Sequence, residues 1–199
     1  MDVAILLFDQ YETLDAMGPA EIFGSLPNTA IHCLSLDGGP VQSAQGVVVM
    51  THPVSHWTEP MDIALLPGGK STLSLQHNPV FLHHLTRLAN AAEWMLTVCT
   101  GSVLLAQTGL LDGRQATSNK SAWQAVIDSS DKVNWQHKAR WCVDGKYYTS
   151  SGVSAGMDMS LGFIADRLRR PRAYQLANGM EYRWHEDAAD DPFAVPQDQ

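Results

Sequence analysis

The chain has 199 residues, 45% of them hydrophobic and 17% charged, with a formal net charge of −8. That length fills one α/β domain whose core needs no disulfide support, and the composition is that of an ordinary globular protein. The acidic balance excludes a nucleic-acid partner, because neutralising phosphates requires clustered Lys and Arg.

Residues 3–8 form an unbroken apolar run, the pattern of a strand covered on both faces. A loop over 9–17 follows, then a helix opening at Gly18-Pro19, where proline suits a first turn. Strands are predicted over 31–36, 47–50 and 63–66. Asp37-Gly38-Gly39-Pro40 turns the chain after the first of these, and Pro67-Gly68-Gly69 after the last. Asn78-Pro79 reads as the N-cap and first residue of a helix over 80–92 that places Phe81, Leu82, Leu85 and Leu88 on one face. A buried strand over 94–98 runs into Cys99, and a helix over 102–108 leaves it, stopped by Gly109. A short strand over 115–117, a helix over 121–127 and a hairpin (141–143 and 147–149, around Asp144-Gly145) come next. Ser154 caps an amphipathic helix over 155–168 that Pro171 ends. The basic cluster Arg167–Arg172 complements the dipole at that end. The acidic, proline-containing tail from Glu186 is expected to pack loosely. Strands alternating with helices, without repeat or linker, predict a single domain over 1–199 with a mostly parallel sheet and helices on both faces.

Three cysteines, Cys33, Cys99 and Cys142, an odd number without a CxxC, make neither a disulfide framework nor a zinc site. No apolar stretch is long enough to span a membrane, and Met1-Asp2 leads into a strand without a basic leader. A cytoplasmic protein without membrane contact is expected.

Cys99 stands where a strand turns sharply into a helix. Such a corner lies at the carboxyl end of the sheet, where open α/β folds place their ligands. The N–H groups opening the next helix favour thiolate over thiol there, while Thr100 and Gly101 leave room for a substrate. The same pattern also fits an inert buried cysteine. Asp15, in the loop after the first strand and in the apolar company of Leu14, Ala16 and Met17, is a candidate proton donor with a raised pKa; otherwise it satisfies backbone N–H groups. Gly68 and Gly69 allow close backbone approach, so their N–H groups and that of Thr100 can form an oxyanion-type hole, although Pro-Gly-Gly also makes an ordinary turn. Asp158 falls in the first turn of the last long helix, where it meets the positive end of the dipole. The histidines lack metal-ligand spacing, and no GxSxG, Walker or dinucleotide fingerprint occurs, so neither metal nor cofactor is expected.

Five motifs in order, Leu-Asp-x-x-Gly-Pro from Leu14, Leu-Pro-Gly-Gly from Leu66, Val-Cys-Thr-Gly-Ser from Val98, Gly-Leu-Leu-Asp-Gly-Arg from Gly109 and Ser-Ala-Gly-x-Asp-Met from Ser154, resemble the ThiJ/PfpI superfamily. The resemblance implies a flavodoxin-like sandwich of the class I glutamine amidotransferase type. An aspartate in the first loop with Val-Cys-Thr-Gly at the elbow is similar to the isocyanide hydratase branch. It implies Cys99 as nucleophile, Asp15 as its acid/base partner, and Thr100, Gly68 and Gly69 lining the site of a small-molecule substrate. Ser118 and Asp158 are candidates to support that site, and a homodimer is expected. Where some relatives carry histidine after the strand at Ala116-Thr117, this chain reads Ser118-Asn119-Lys120, so a Cys–His triad, and with it protease or amidotransferase chemistry, is not supported. Many members are transcription regulators with an appended helix–turn–helix domain; too few residues follow the last motif for one here. Two rival readings use the same cysteine: glyoxalase-like addition to an α-oxoaldehyde, and a redox sensor oxidised at sulfur.

Overall fold

The computed structural model describes residues 1–57 and 60–194. In chain order the elements are β1 (Asp2–Leu6), α1 (Thr13–Gly24), β2 (Ala30–Ser35), β3 (Gly39–Gln42), β4 (Val48–Pro53), β5 (Met61–Leu66), α2 (Thr72–Leu75), α3 (Pro79–Ala91), β6 (Ala92–Thr97) and α4 (Gly101–Ala106). They continue with β7 (Gln115–Ala116), α5 (Trp123–Ser129), β8 (Asn134–Trp135), β9 (Trp141–Asp144), β10 (Tyr147–Ser150), α6 (Ala155–Ile164), a π-helical turn (Ala165–Arg169) and α7 (Arg170–Gly179).

Eight strands form the central sheet in the order β3-β4-β2-β1-β5-β6-β10-β9, and β7 pairs separately with β8. Between β4 and β10 every neighbouring pair is parallel, and antiparallel β3 and β9 close the two edges. Val3, Ala4, Ile5 and Leu6 of β1 are all buried, as cover on both faces requires. On one side α1 packs on α6 and α6 on β10; α3 packs against β5, β6 and α4. Phe163 of α6 centres an aromatic cluster, making edge contacts with Phe23, Trp94 and Tyr148. No helix among the described residues is long and apolar enough to cross a membrane.

The structure departs from the sequence reading in four places. Helix α1 begins at Thr13, so Asp15 lies in its first turn rather than in a loop, and Pro19 lies inside the helix. The true start carries no cap signal, since Glu12 at the N-cap makes no side-chain cap bond, whereas Gly18-Pro19 imitates one. Strand β3 occupies the ground read as a turn. The last long helix stops at Ile164, and Arg169 takes a left-handed φ of 87°, so Pro171 opens α7 instead of ending the structure. Accordingly the arginines do not gather on one dipole: Arg167 stacks 3.9 Å over Trp94, and Arg170 pairs with Glu186. Finally, the tail is pinned. The Ala188 carbonyl accepts from the Arg140 amide at 2.8 Å, and the amide of buried Asp191 donates to Lys138 O at 2.7 Å. Residues 195–199 of that tail lie outside the described residues.

Gly101, the first residue of α4, sits against the end of β5. An added Cβ would stand 2.5 Å from the Leu66 carbonyl oxygen and 2.9 Å from that of Pro67, backbone atoms that cannot swing away. Gly101→Ala is therefore expected to cost about 2–4 kcal/mol in urea denaturation; a loss below about 1 kcal/mol would contradict this packing.

Candidate functional site

Cys99 joins β6 to α4 and has a φ of 56°, the left-handed region that is strained for a side chain carrying a Cβ. Hydrogen bonds hold it there from several directions. Its N–H donates to Ser151 O at 3.0 Å, and its carbonyl accepts from Ser118 Oγ at 2.8 Å and Ser102 Oγ at 3.1 Å. A Cβ on Gly68 would meet Thr100 N at 2.5 Å and the Cys99 Cβ at 3.1 Å, so only glycine lets the end of β5 close on this corner. Strain concentrated at one residue and locked by its surroundings is the usual setting of a reactive side chain.

Around the sulfur, Asn119 Nδ2 donates at 3.1 Å, and the backbone N–H groups of Thr100 and Val153 also point to it. The Asp15 carboxyl is the acidic neighbour. It is fully buried; Oδ2 accepts from Gly68 N at 2.9 Å, while Oδ1 has no hydrogen-bond partner of its own. Burial, with Glu12 adding repulsion, pushes Asp15 up to about 7 against the opposing pull of the Gly68 amide and, more weakly, of the Cys99 thiol.

The expected thiolate is not what this geometry produces. Burial and the Asp15 charge push the Cys99 thiol up to about 12, outweighing the three donors. Helix α4 is only six residues long, so few aligned peptides face the sulfur, and the side chain is 7% exposed. The resting pair is thus a neutral thiol beside a carboxyl that titrates near neutrality.

The glycine amides do not form the hole expected of them. The Gly68 N–H is taken by Asp15, and that of Gly69 donates to Thr100 Oγ1 at 3.2 Å. Thr100 Oγ1 also shares a 2.9 Å hydrogen bond with Thr72 Oγ1. Ser118 supports the corner through the Cys99 carbonyl. Asp158 does not touch the sulfur: it takes Arg140 in a two-pronged pair at 2.8 and 2.9 Å, together with the Tyr182 hydroxyl and the His185 amide. Among the described residues no group of His, Cys, Asp and Glu is arranged to hold a metal, and all three cysteines are free. Gly69 and Thr100 lie on the wall of a cavity of about 590 Å³ that mixes apolar side chains such as Leu73, Val103 and Val126 with polar ones such as Lys70, His77 and Asp128; neither Cys99 nor Asp15 lines it. Sequence reasoning missed Asn119 and Val153. Asn119 was visible only as the replacement for a histidine, and nothing local marks a valine whose contribution is its backbone.

Burying Asp15 has a pH signature. Between about pH 4 and 7 the native state keeps a proton that the unfolded chain has released, so stability falls as pH rises through that window. Above it the loss levels off at no more than about 4 kcal/mol. Asp15→Asn removes the titration, so the melting-temperature advantage of the variant over wild type should grow from pH 4 to 7 and then hold constant. Parallel stability curves would contradict the raised carboxyl.

A model of the DJ-1/PfpI family matches residues 1–166. Over 182 residues the chain is 30% identical to an isonitrile hydratase of Pseudomonas putida, covering 92% of this chain and 78% of that protein. It is 32% identical over 134 residues to the HTH-type transcriptional regulator CdhR of Pseudomonas aeruginosa, covering 67% of this chain and 39% of the regulator. A solved ThiJ/PfpI family protein from Pseudomonas syringae matches with a TM-score of 0.82 at 27% identity, over 98% of this chain and 78% of that one. Drosophila melanogaster DJ-1beta, at 16% identity, shares the fold with a TM-score of 0.76 over 92% and 98% of the two chains. Family model, sequence likeness and fold agree, and the chain belongs to the DJ-1/PfpI family.

Proposed function

We propose that this protein hydrates an isonitrile to an N-substituted formamide, with Cys99 as nucleophile and Asp15 as acid and base. The observation that carries this reading is the geometry of the pair: Cys99 held at a left-handed corner with Asn119 donating to its sulfur, beside the fully buried Asp15 carboxyl, burial raising both groups. Hydrating an isonitrile requires a proton on its terminal carbon as well as a nucleophile, and this pair supplies both. The likeness to the P. putida isonitrile hydratase along nearly the whole chain supports the same chemistry.

In this scheme the Cys99 S–H proton passes by way of Asp15 to the terminal carbon of R–N≡C as sulfur bonds that carbon, giving the thioimidate R–N=CH–S–Cys99. Asn119 and the Thr100 and Val153 amides stabilise negative charge on sulfur during the transfer. Water, deprotonated by Asp15, adds to the thioimidate carbon while nitrogen takes up a proton. The C–S bond of R–NH–CH(OH)–S–Cys99 then breaks, releasing R–NH–CHO and returning the proton to sulfur. Covalent catalysis divides one difficult hydration into two easier steps. The cavity beside Thr100, next to the elbow rather than around the sulfur, has the volume of a small-molecule site and is offered here to the organic group R.

The glyoxalase-like and redox-sensor readings use the same cysteine, and the raised thiol weighs on all three alike. An ultraviolet assay with an aryl isonitrile, run beside one for methylglyoxal, separates these. Wild type should convert the isonitrile, and Cys99→Ala and Asp15→Ala should each lose about a thousandfold or more in kcat. Failure of the wild type to turn over any isonitrile, or full activity in Cys99→Ala, would overturn the proposal; consumption of methylglyoxal alone would transfer the site to the rival.

A further inference from the structure

Two of the donors to the Cys99 sulfur come from segments with no claim to rigidity of their own. Asn119 follows a two-residue strand, and Val153, a β-branched residue, has a left-handed φ of 44°. The segments also touch one another, since a Cβ on Gly152 would stand 2.6 Å from Asn119 Nδ2. Behind each of them lies a buried cation. Lys120 Nζ donates to Thr117 Oγ1 at 2.6 Å, Ala139 O at 2.9 Å and Ser118 O at 3.1 Å, and so ties down the backbone that leads into Asn119. Arg140 donates through Nη2 to Ser154 Oγ at 3.1 Å, next to Val153, and its carbonyl accepts from Ser151 N at 2.9 Å.

The two cations are joined by Asp191, a fully buried side chain from the pinned tail, which lies 3.4 Å from Arg140 Nη1 and 3.8 Å from Lys120 Nζ. Asp158 completes the group through its paired contact with Arg140. Two positive and two negative side chains are therefore sequestered together. Buried ion pairs contribute little net stability over apolar packing, but removal of one partner strands the others. That makes the cluster a poor stabiliser and a stiff spacer.

We infer that this four-charge cluster is a positioning device for the nucleophile: through Asp191 it locks the Asn119 and Val153 segments in register, so both donors stay on the sulfur. Lys120, Arg140 and Asp191 act here as positioning residues. The inference concerns the reactivity of Cys99 whatever its substrate, so it stands or falls independently of isonitrile turnover.

The test is the rate of Cys99 alkylation by iodoacetamide between pH 7 and 10, followed by mass spectrometry to separate it from Cys33 and Cys142. Asp191→Asn is expected to slow alkylation about tenfold, displacing the pH–rate line toward higher pH by about one unit, with Asp191→Glu restoring most of the loss. Ser154→Ala, which removes one hydroxyl and no buried charge, should act in the same direction, and serves if Asp191→Asn fails to fold. In an Asn119→Ala background Asp191→Asn should add less than its own effect, since the two changes then act through one contact. A lowered melting temperature with an unchanged pH–rate line would show a merely structural role and overturn the inference. So would faster alkylation, the sign of a site that has simply opened, or full additivity of the two variants.

Discussion

The closeness of the end of β5 to the start of α4, which leaves no room for one extra carbon, is the constraint on which the rest of the molecule depends. Gly68 at the end of β5 lies against Thr100, Gly101 against the carbonyls of Leu66 and Pro67, and Gly152 against the Asn119 amide. With no side chain between the end of β5 and the start of α4, the elbow is held by backbone contacts, by two serine hydroxyls on the Cys99 carbonyl and by Asn119 on the sulfur. The parallel sheet supplies the rigid frame for this, because β5, β6 and β10 lie side by side and all deliver their carboxyl ends to the same place.

The price of that closeness is solvent. The same packing that forces the left-handed corner removes water from Cys99 and Asp15, and desolvation dominates both titrations. Chemistry at the site is consequently a matter of where one proton resides rather than of a standing thiolate. Asp15 is caught between the Gly68 amide, which favours its charge, and burial, which opposes it and wins, raising it to about 7.

Most strands of the central sheet and the corner at Cys99 were legible in the sequence because each rests on a local pattern, an apolar run with a cysteine at its end, whereas Asp15 was singled out as its neighbour through the family resemblance. What was illegible depends on distance. Asp15 was found, but its place in a helix was hidden by an uncapped start and a decoy proline at Pro19. The sign of the Cys99 shift escaped because helix amides can be read from a sequence, whereas the burial that outweighs them cannot. Gly68 and Gly69 were marked for close approach to a ligand; what they approach here is the protein itself, and the destinations of their N–H groups, Asp15 and Thr100, emerge only in three dimensions. The tail looked loose because its acidic composition is that of a solvated segment, and composition does not reveal that Asp191 meets two buried cations 51 and 71 positions earlier in the chain.

The pairing of β6 with β10 bears on how the protein is made as well as on what it does. These parallel neighbours are far apart along the chain, Ser150 and the Thr97 carbonyl it contacts being separated by 53 residues, and the next carbonyl, that of Ser151, anchors the Cys99 amide. Closing so long a loop comes late in the assembly of a parallel sheet. Nascent or partly folded chains therefore carry an ordinary cysteine at position 99, relaxed and bathed in water, and it becomes the guarded residue of the native protein only at the moment the sheet closes.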